Sequence, residues 1–302
     1  MMQASMSRRG ALLFAAMCVI WGIPYLLIRV AVEELSPAML VLARTTVAAL
    51  LLLPFAAYRR ELRPLLPYWL PVLAFAAIEI AVPWVLLGAA EQEISSSLTG
   101  LLLAAVPIVG VMIARTTGAR ERLGLQSGIG LLVGLIGVAA IVGLNLEGAS
   151  AVPLAEIGLV AVCYAVGPVI LQRWLSGLPA LGVIAASLGV TAVVFAPIAA
   201  LSVPEQVPSG KVVGSVLGLA VVCTAVAFLL FFALIAEVGP VRATVITYVN
   251  PAVAAVLGVA LLDERFTPGM GVGFALVLVG SMFATRRRVE PGESHAPALD
   301  SS

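Results

Sequence analysis

Two charged side chains lie deep inside otherwise apolar runs. Glu79 is about halfway along the run 67–90, and Arg44 is about a third of the way into the run 37–57. A charge at the bilayer centre costs roughly 2.5–3.5 kcal/mol on insertion scales, so such a group faces a cavity or a partner. A carboxylate there can hold a substrate amine or carry a coupling proton. An arginine there can neutralise it. Two readings of Glu79 stay open: a substrate- or proton-binding group, and the acid of a structural pair with Arg44 that fixes two helices together. Arg44 is expected as structural charge.

Polar and aromatic residues recur at helical spacing around these two. Trp21, Pro24, Tyr25 and Ile28 share one face, as do Ser96, Thr99, Gly100, Leu103 and Pro107. Tyr164, Gly167 and Pro168 share another, and so do Thr247, Tyr248 and Pro251, with Asn250 beside them. Trp21, Tyr25, Ser96, Thr99, Tyr164, Thr247, Tyr248 and Asn250 therefore join Glu79 as candidate substrate-contacting residues. Pro24, Pro107, Pro168 and Pro251 are candidate bends, because proline frees a carbonyl and kinks a helix. Glu121 and Glu264 open the runs 123–145 and 267–285, where a carboxylate satisfies free N–H groups of the helix start. They are expected as structural charges.

Other chemistries are excluded. His295 is the single histidine and lies near the C-terminus, so no Ser-His-Asp triad or His-based metal site can form among the apolar runs. No P-loop is present, so ATP does not drive this chain directly. Gly128 and Gly130 lie within an apolar run, not after a strand, and so form no dinucleotide site. Cys18, Cys163 and Cys223 are dispersed in apolar runs, with no cluster for a metal or an exported disulfide. No basic stripe with interleaved aromatics points to nucleic acid. No cofactor or metal is expected.

The elements that must position the candidate residues are membrane helices. The 302 residues are 62% hydrophobic and 11% charged, against about 25% charged in soluble domains. Mean hydropathy is +1.13. Apolar runs of about 20 residues mark spans, here near 11–32, 37–57, 67–90, 95–114, 123–145, 153–175, 178–201, 212–236, 240–262 and 267–285. Short breaks such as Glu33-Glu34, Glu91-Gln92-Glu93 and Asp263-Glu264-Arg265 separate them. In lipid each run must be a helix. The fold class is an all-α integral membrane protein of ten helices.

The chain is also written twice. Pro24, Arg29 and Pro107 recur as Pro168, Arg173 and Pro251 at an offset of 144. Glu121, Gly128, Gly130 and Gly137 recur as Glu264, Gly271, Gly273 and Gly280 at an offset of 143. Five spans per copy turn the second copy upside down, the inverted-repeat architecture of secondary transporters. The expected organisation is a first repeat over 1–148, a second over 149–288, and a polar, disordered tail over 289–302. With both termini in the cytoplasm, 13 basic residues fall inside and only Lys211 and Arg265 outside, as the positive-inside rule requires.

Trp21-Gly22, Pro37 followed by Arg44, the stretch from Ser95 through Pro107 to Glu121-Arg122 and its glycines, and the stretch from Arg242 through Tyr248, Asn250 and Pro251 to Glu264-Arg265 and Gly280 carry a resemblance. They resemble the EamA-type drug/metabolite transporter superfamily over roughly residues 10–286. The resemblance implies a ten-helix exporter of small metabolites, often amino acids, in the bacterial inner membrane; the internal duplication makes a monomer sufficient. It also implies a cavity lined by spans one, three, four, six, eight and nine. The first copy lacks Tyr-Asn before Pro107, and Ala165-Val166 stands where Trp-Gly would recur. A membrane-embedded binding or scaffold protein without transport is the alternative. An intramembrane enzyme lacks catalytic groups.

Overall fold

The computed structural model describes residues 7–116, 125–143 and 151–285. All described elements are helical. Eight helices are long and apolar enough to cross a membrane: Arg8–Ala31 (α1), Pro37–Tyr58 (α2), Arg63–Glu93 (α3), Ser96–Ile113 (α4), Ala151–Trp174 (α6), Ala180–Ser202 (α7), Gly210–Val238 (α8) and Val245–Leu262 (α9). Two shorter apolar helices, Gly128–Val142 (α5) and Pro268–Ala284 (α10), accompany them. Glu121 and the tail 289–302 lie outside the described residues.

The surface shows why water is the wrong solvent. Leu50, Leu51, Phe55, Leu132, Ile136, Val193 and Val194 are exposed, an apolar face for lipid. Small residues let the helices meet inside it. A Cβ on Gly137 would stand 2.7 Å from the Gly273 carbonyl, and one on Gly130 would stand 2.5 Å from the Ala284 amide. The two repeated glycine ladders therefore pack against each other. Their register is antiparallel: Gly130 approaches Ala284, Gly134 approaches Gly280, and Gly137 approaches Val277. Exchanging residues by the repeat offset of 143 maps this set of contacts onto itself. The α2–α7 and α4–α9 interfaces also join repeat-related helices, whereas the large α3–α6 interface joins helices from different repeat positions.

Several helices are irregular at matching places. α4 breaks at Ala104–Ala105, between Ser96–Leu103 and Val106–Thr116. α9 is preceded by Pro240–Ala243 and starts as a 3₁₀ turn, Thr244–Tyr248, before Asn250–Leu262. Pro107 and Pro251 thus each open the second segment of a broken helix. α3 and α8 contain π segments, Ala76–Ala81 and Gly218–Val226. The match fails between α1 and α6. α1 breaks between Ile20 and Pro24, whereas α6 runs unbroken through Pro168. Gly22 in the break corresponds to Val166, which lacks a glycine's tolerance of irregular backbone.

Candidate functional site

Arg44 projects from α2 into the protein and is only 7% exposed. Its Nε donates to Thr224 Oγ1 at 3.0 Å, and its guanidinium lies 3.5 Å from the centroid of the Trp84 ring. Thr224 in turn donates to the Leu219 carbonyl at 2.7 Å, a bond that spans five residues. The π segment of α8 thus presents a hydroxyl to the arginine, and π segments recur at functional positions. A hydroxyl and an aromatic face hold this cation; no ion pair to a carboxylate is found among the described residues. Tyr25, Tyr164 and Cys223 lie within its electrostatic reach.

Glu79 sits in the π segment of α3 against Gly167 of α6, where any Cβ would overlap its carboxylate. Its Oε2 is buried without a hydrogen-bond partner. The Arg44–Glu79 pair considered from sequence is therefore not formed, because Thr224 and Trp84 engage the arginine instead. The two charges still share a neighbourhood, since the Tyr164 hydroxyl lies in the field of both. Tyr25 extends the cluster and would stand 3.6 Å from a Cβ on Gly100 of α4.

The remaining sequence candidates separate into other places. Trp21 packs on Phe228 and Phe231 of α8, with centroids 5.8 and 4.7 Å apart. Asn250 is buried, and with its amide turned to suit its neighbours the nitrogen donates to the carbonyls of Ile246 and Cys18, both at 3.0 Å. One side chain thereby satisfies carbonyls at the breaks of both α9 and α1, and Gly22 lets the two breaks touch. Tyr248 is half-buried beside it and Thr247 is exposed. Thr99 donates to the Ser95 carbonyl at 3.1 Å.

Ser96 belongs to a different assembly. The Glu264 carboxylate accepts from the Ser96 N–H at 2.8 Å, the Ser96 hydroxyl at 2.9 Å, the Ser97 N–H at 2.9 Å and the Ser97 hydroxyl at 2.5 Å. Glu264 therefore caps the start of α4 in the other repeat. The sequence expectation placed it at the start of its own helix, but α10 begins only at Pro268. At this same end Glu34 accepts from the Ser209 N–H at 2.6 Å, Ser36 meets Ser202 at 2.7 Å and Lys211 approaches Glu33 at 3.8 Å. The Ser209 bonds hold the Glu34 carboxyl below the usual carboxylate range. This end of the bundle is tied shut by polar clasps between the halves.

Three functional features were not anticipated. Thr224 is one of two hydroxyls, with Ser215, in the long apolar run of α8, and Trp84 is the aromatic matched by Phe228 at offset 144. Glu91 was read as part of a break, yet it is completely buried at the end of α3.

Comparison with known proteins is consistent with this architecture. The model of the EamA-like transporter family matches residues 8–143 and again 156–286. The chain is 31% identical over 279 residues to the uncharacterized inner membrane transporter YedA of Escherichia coli K12, covering 87% of this chain and 88% of that protein. The same protein from E. coli O157:H7 matches equally. A crystal structure at 20% identity superposes with a TM-score of 0.65 over 91% of this chain and 96% of the other, a likeness of fold.

Proposed function

From the premise that the chain belongs to the EamA-like transporter family, we propose that it is a secondary transporter that exports small organic metabolites bearing both an amine and an acid group, amino acids foremost, by alternating access. One observation carries the substrate class. A buried cation and a buried carboxylate lie in one cluster without neutralising each other. A zwitterion supplies the missing partner to each: its carboxylate to Arg44, whose planar fork suits that geometry, and its ammonium to Glu79. Tyr25 and Tyr164 add hydroxyls, and Trp84 orients the guanidinium.

The chain acts as ten membrane spans in two inverted repeats, 1–148 and 149–288. The self-matching antiparallel register of α5 and α10 supports this, as do the paired breaks of α4 and α9 and the paired π segments. Pro107 and Pro251 mark where α4 and α9 flex as the halves rock. Pro24 serves α1 alone, and Pro168 leaves α6 continuous. Trp21, Thr247, Tyr248 and Asn250 form the far wall of the route, with Asn250 as the tie between two broken helices. Thr99 lies one turn inside the clasped end. With both termini in the cytoplasm, that clasped end faces outward. A cysteine placed at Ser209 then labels from outside, and one at Arg60 labels only after permeabilisation; the reverse pattern refutes the orientation.

The function is tested by reconstitution into liposomes loaded with radiolabelled amino acids and related metabolites. Efflux of a zwitterion against an unlabelled gradient, lost in Arg44→Gln, supports the reading. Binding without any flux across the whole panel refutes it in favour of a membrane-embedded binding protein.

A further inference from the structure

Glu91 stands apart from every group used so far. It is 0% exposed, and neither carboxyl oxygen has a hydrogen-bond partner. It lies directly beneath the clasp at the end of α3. Its charged neighbours are few. From α1, the Arg29 guanidinium donates to the backbone carbonyl of Glu91, at 2.9 Å, instead of to the carboxyl. The Arg29 backbone N–H approaches the carboxyl without hydrogen-bond geometry, and Tyr25 lies within its electrostatic reach. From the α9–α10 connection comes Glu264, a second negative group. α4 brings no titratable side chain, Arg44 of α2 is engaged by Trp84, and Glu156 of α6 has Glu93 as its charged neighbour.

The two carboxyls are thus provided for in opposite ways. Glu264 accepts from four donors. Glu91 accepts from none, in a site closed to water. A fully buried carboxyl with no hydrogen-bond donor, lying in the fields of both the Arg29 cation and the Glu264 carboxylate, can be held as the neutral acid. Among the described residues no group of three or more His, Cys, Asp or Glu side chains gathers to hold a metal ion. We propose that Glu91 is a proton-binding site whose occupancy is required for the Glu264 end of the transporter to close. When that end opens, water reaches Glu91, the proton leaves, and the resulting anion opposes re-closure against Glu264. Tyr25, which lies in the fields of both Glu91 and Arg44, connects this site to the central cluster. The proposal does not depend on which substrate is carried.

The test reads gate position, not transport. The full chain, with Cys18, Cys163 and Cys223 replaced, carries spin labels at Gln92→Cys and Val207→Cys, both exposed at this end. Distances are measured in nanodiscs from pH 5 to pH 9. The expected result is a growing long-distance population as pH rises, with the open-to-closed ratio changing about tenfold per unit through the transition, as one proton dictates. Glu91→Gln, permanently neutral, holds the short distance at every pH. It also removes a protonated-carboxyl infrared band at neutral pH. Should the amide fail to fold, Glu91→Met makes the same comparison. A flat wild-type profile, or a pH response that survives in the neutral variant, overturns the proposal and leaves the transport reading untouched.

Discussion

Replacing Glu264 by alanine tests whether a residue at the entrance of one helix holds the start of another. The carboxylate serves four donors on Ser96 and Ser97. The two hydroxyls have alternatives: that of Ser97 already lies 3.4 Å from the Ala255 carbonyl. The two backbone N–H groups have none, because they open α4 and the Ser95 hydroxyl is occupied by the Leu98 amide. Stranding a buried donor costs about 1–3 kcal/mol. Two donors give roughly 2–6, and the groove lined by Glu264 and Arg265 admits water to that end, so a loss of about 3 kcal/mol is expected. Equilibrium unfolding in lipid–detergent micelles measures it, with the exposed Glu205→Ala as a control near zero. A double-mutant cycle with Ser97→Ala isolates the shared part, expected at about 1–2 kcal/mol. If Glu264→Ala costs no more than Glu205→Ala, or the cycle shows no coupling, the cap is not formed and the clasp between the halves is wrong.

Gly137→Leu drives a side chain into the Gly273 carbonyl and Val277 amide; overpacking of this kind costs about 1–3 kcal/mol or more, read as lost thermal stability, and an unaffected variant refutes the α5–α10 register. Glu79→Gln leaves stability within about 0.5 kcal/mol, since no Arg44 pair is broken, while zwitterion export falls at least tenfold; breaking a true buried pair would cost about 3–5 kcal/mol, so a large stability loss refutes the unpaired geometry. Glu34 has a lowered folded-state pKa through Ser209, so its contribution is present above its unfolded value and is lost as pH falls through the lower folded value. Mobility of a spin label at Val207 should therefore rise only in that acidic window, and Glu34→Gln should show the mobile signal at neutral pH; an immobile label in that variant refutes the clasp.

The legible parts of the fold were those that bilayer physics forces. Apolar runs had to be helices, and among the described residues eight of them are long and apolar enough to cross a membrane. The repeated glycines were legible as packing positions, though not as partners of one another: spacing shows that a helix has a bare face, while only three dimensions show which face meets it. Glu264 was misplaced for the same reason. A carboxylate before an apolar run satisfies N–H groups equally well at its own helix or at a neighbour's, and the left-handed Asp263 at the end of α9 turns the chain toward α4. Glu91 was missed because a charged tripeptide reads as a loop, whereas the helix continues through Glu93 and carries Glu91 inward. The π segments left no trace in composition.

The paired irregularities and the unpaired charges point in different directions, and together they constrain the mechanism. Breaks in α4 and α9, and π segments in α3 and α8, occur in both halves. Arg44, Glu79, Tyr25 and Glu91 do not. At the repeat offset Arg44 corresponds to Leu188, Glu79 to Cys223, Tyr25 to Val169 and Glu91 to Ile235. A backbone that repeats lets either end of an inverted-repeat transporter open by the same bending, so the two states cost similar strain. Side chains that do not repeat make those states chemically different. Under the proposed arrangement a zwitterion between Arg44 and Glu79 meets the same central charges in both states, the end beyond Tyr25 closes over Glu91, and the repeat-related position at the opposite end is Ile235, with Glu237 hydrogen-bonded to Ser7 two residues away. Under the proposed arrangement, the direction of transport is then set by protonation at one gate, and moving the carboxyl from Glu91 to position 235 should transfer the pH dependence of closure to the other end. Spin labels placed there that remain insensitive to pH would break this link between repeat symmetry and direction.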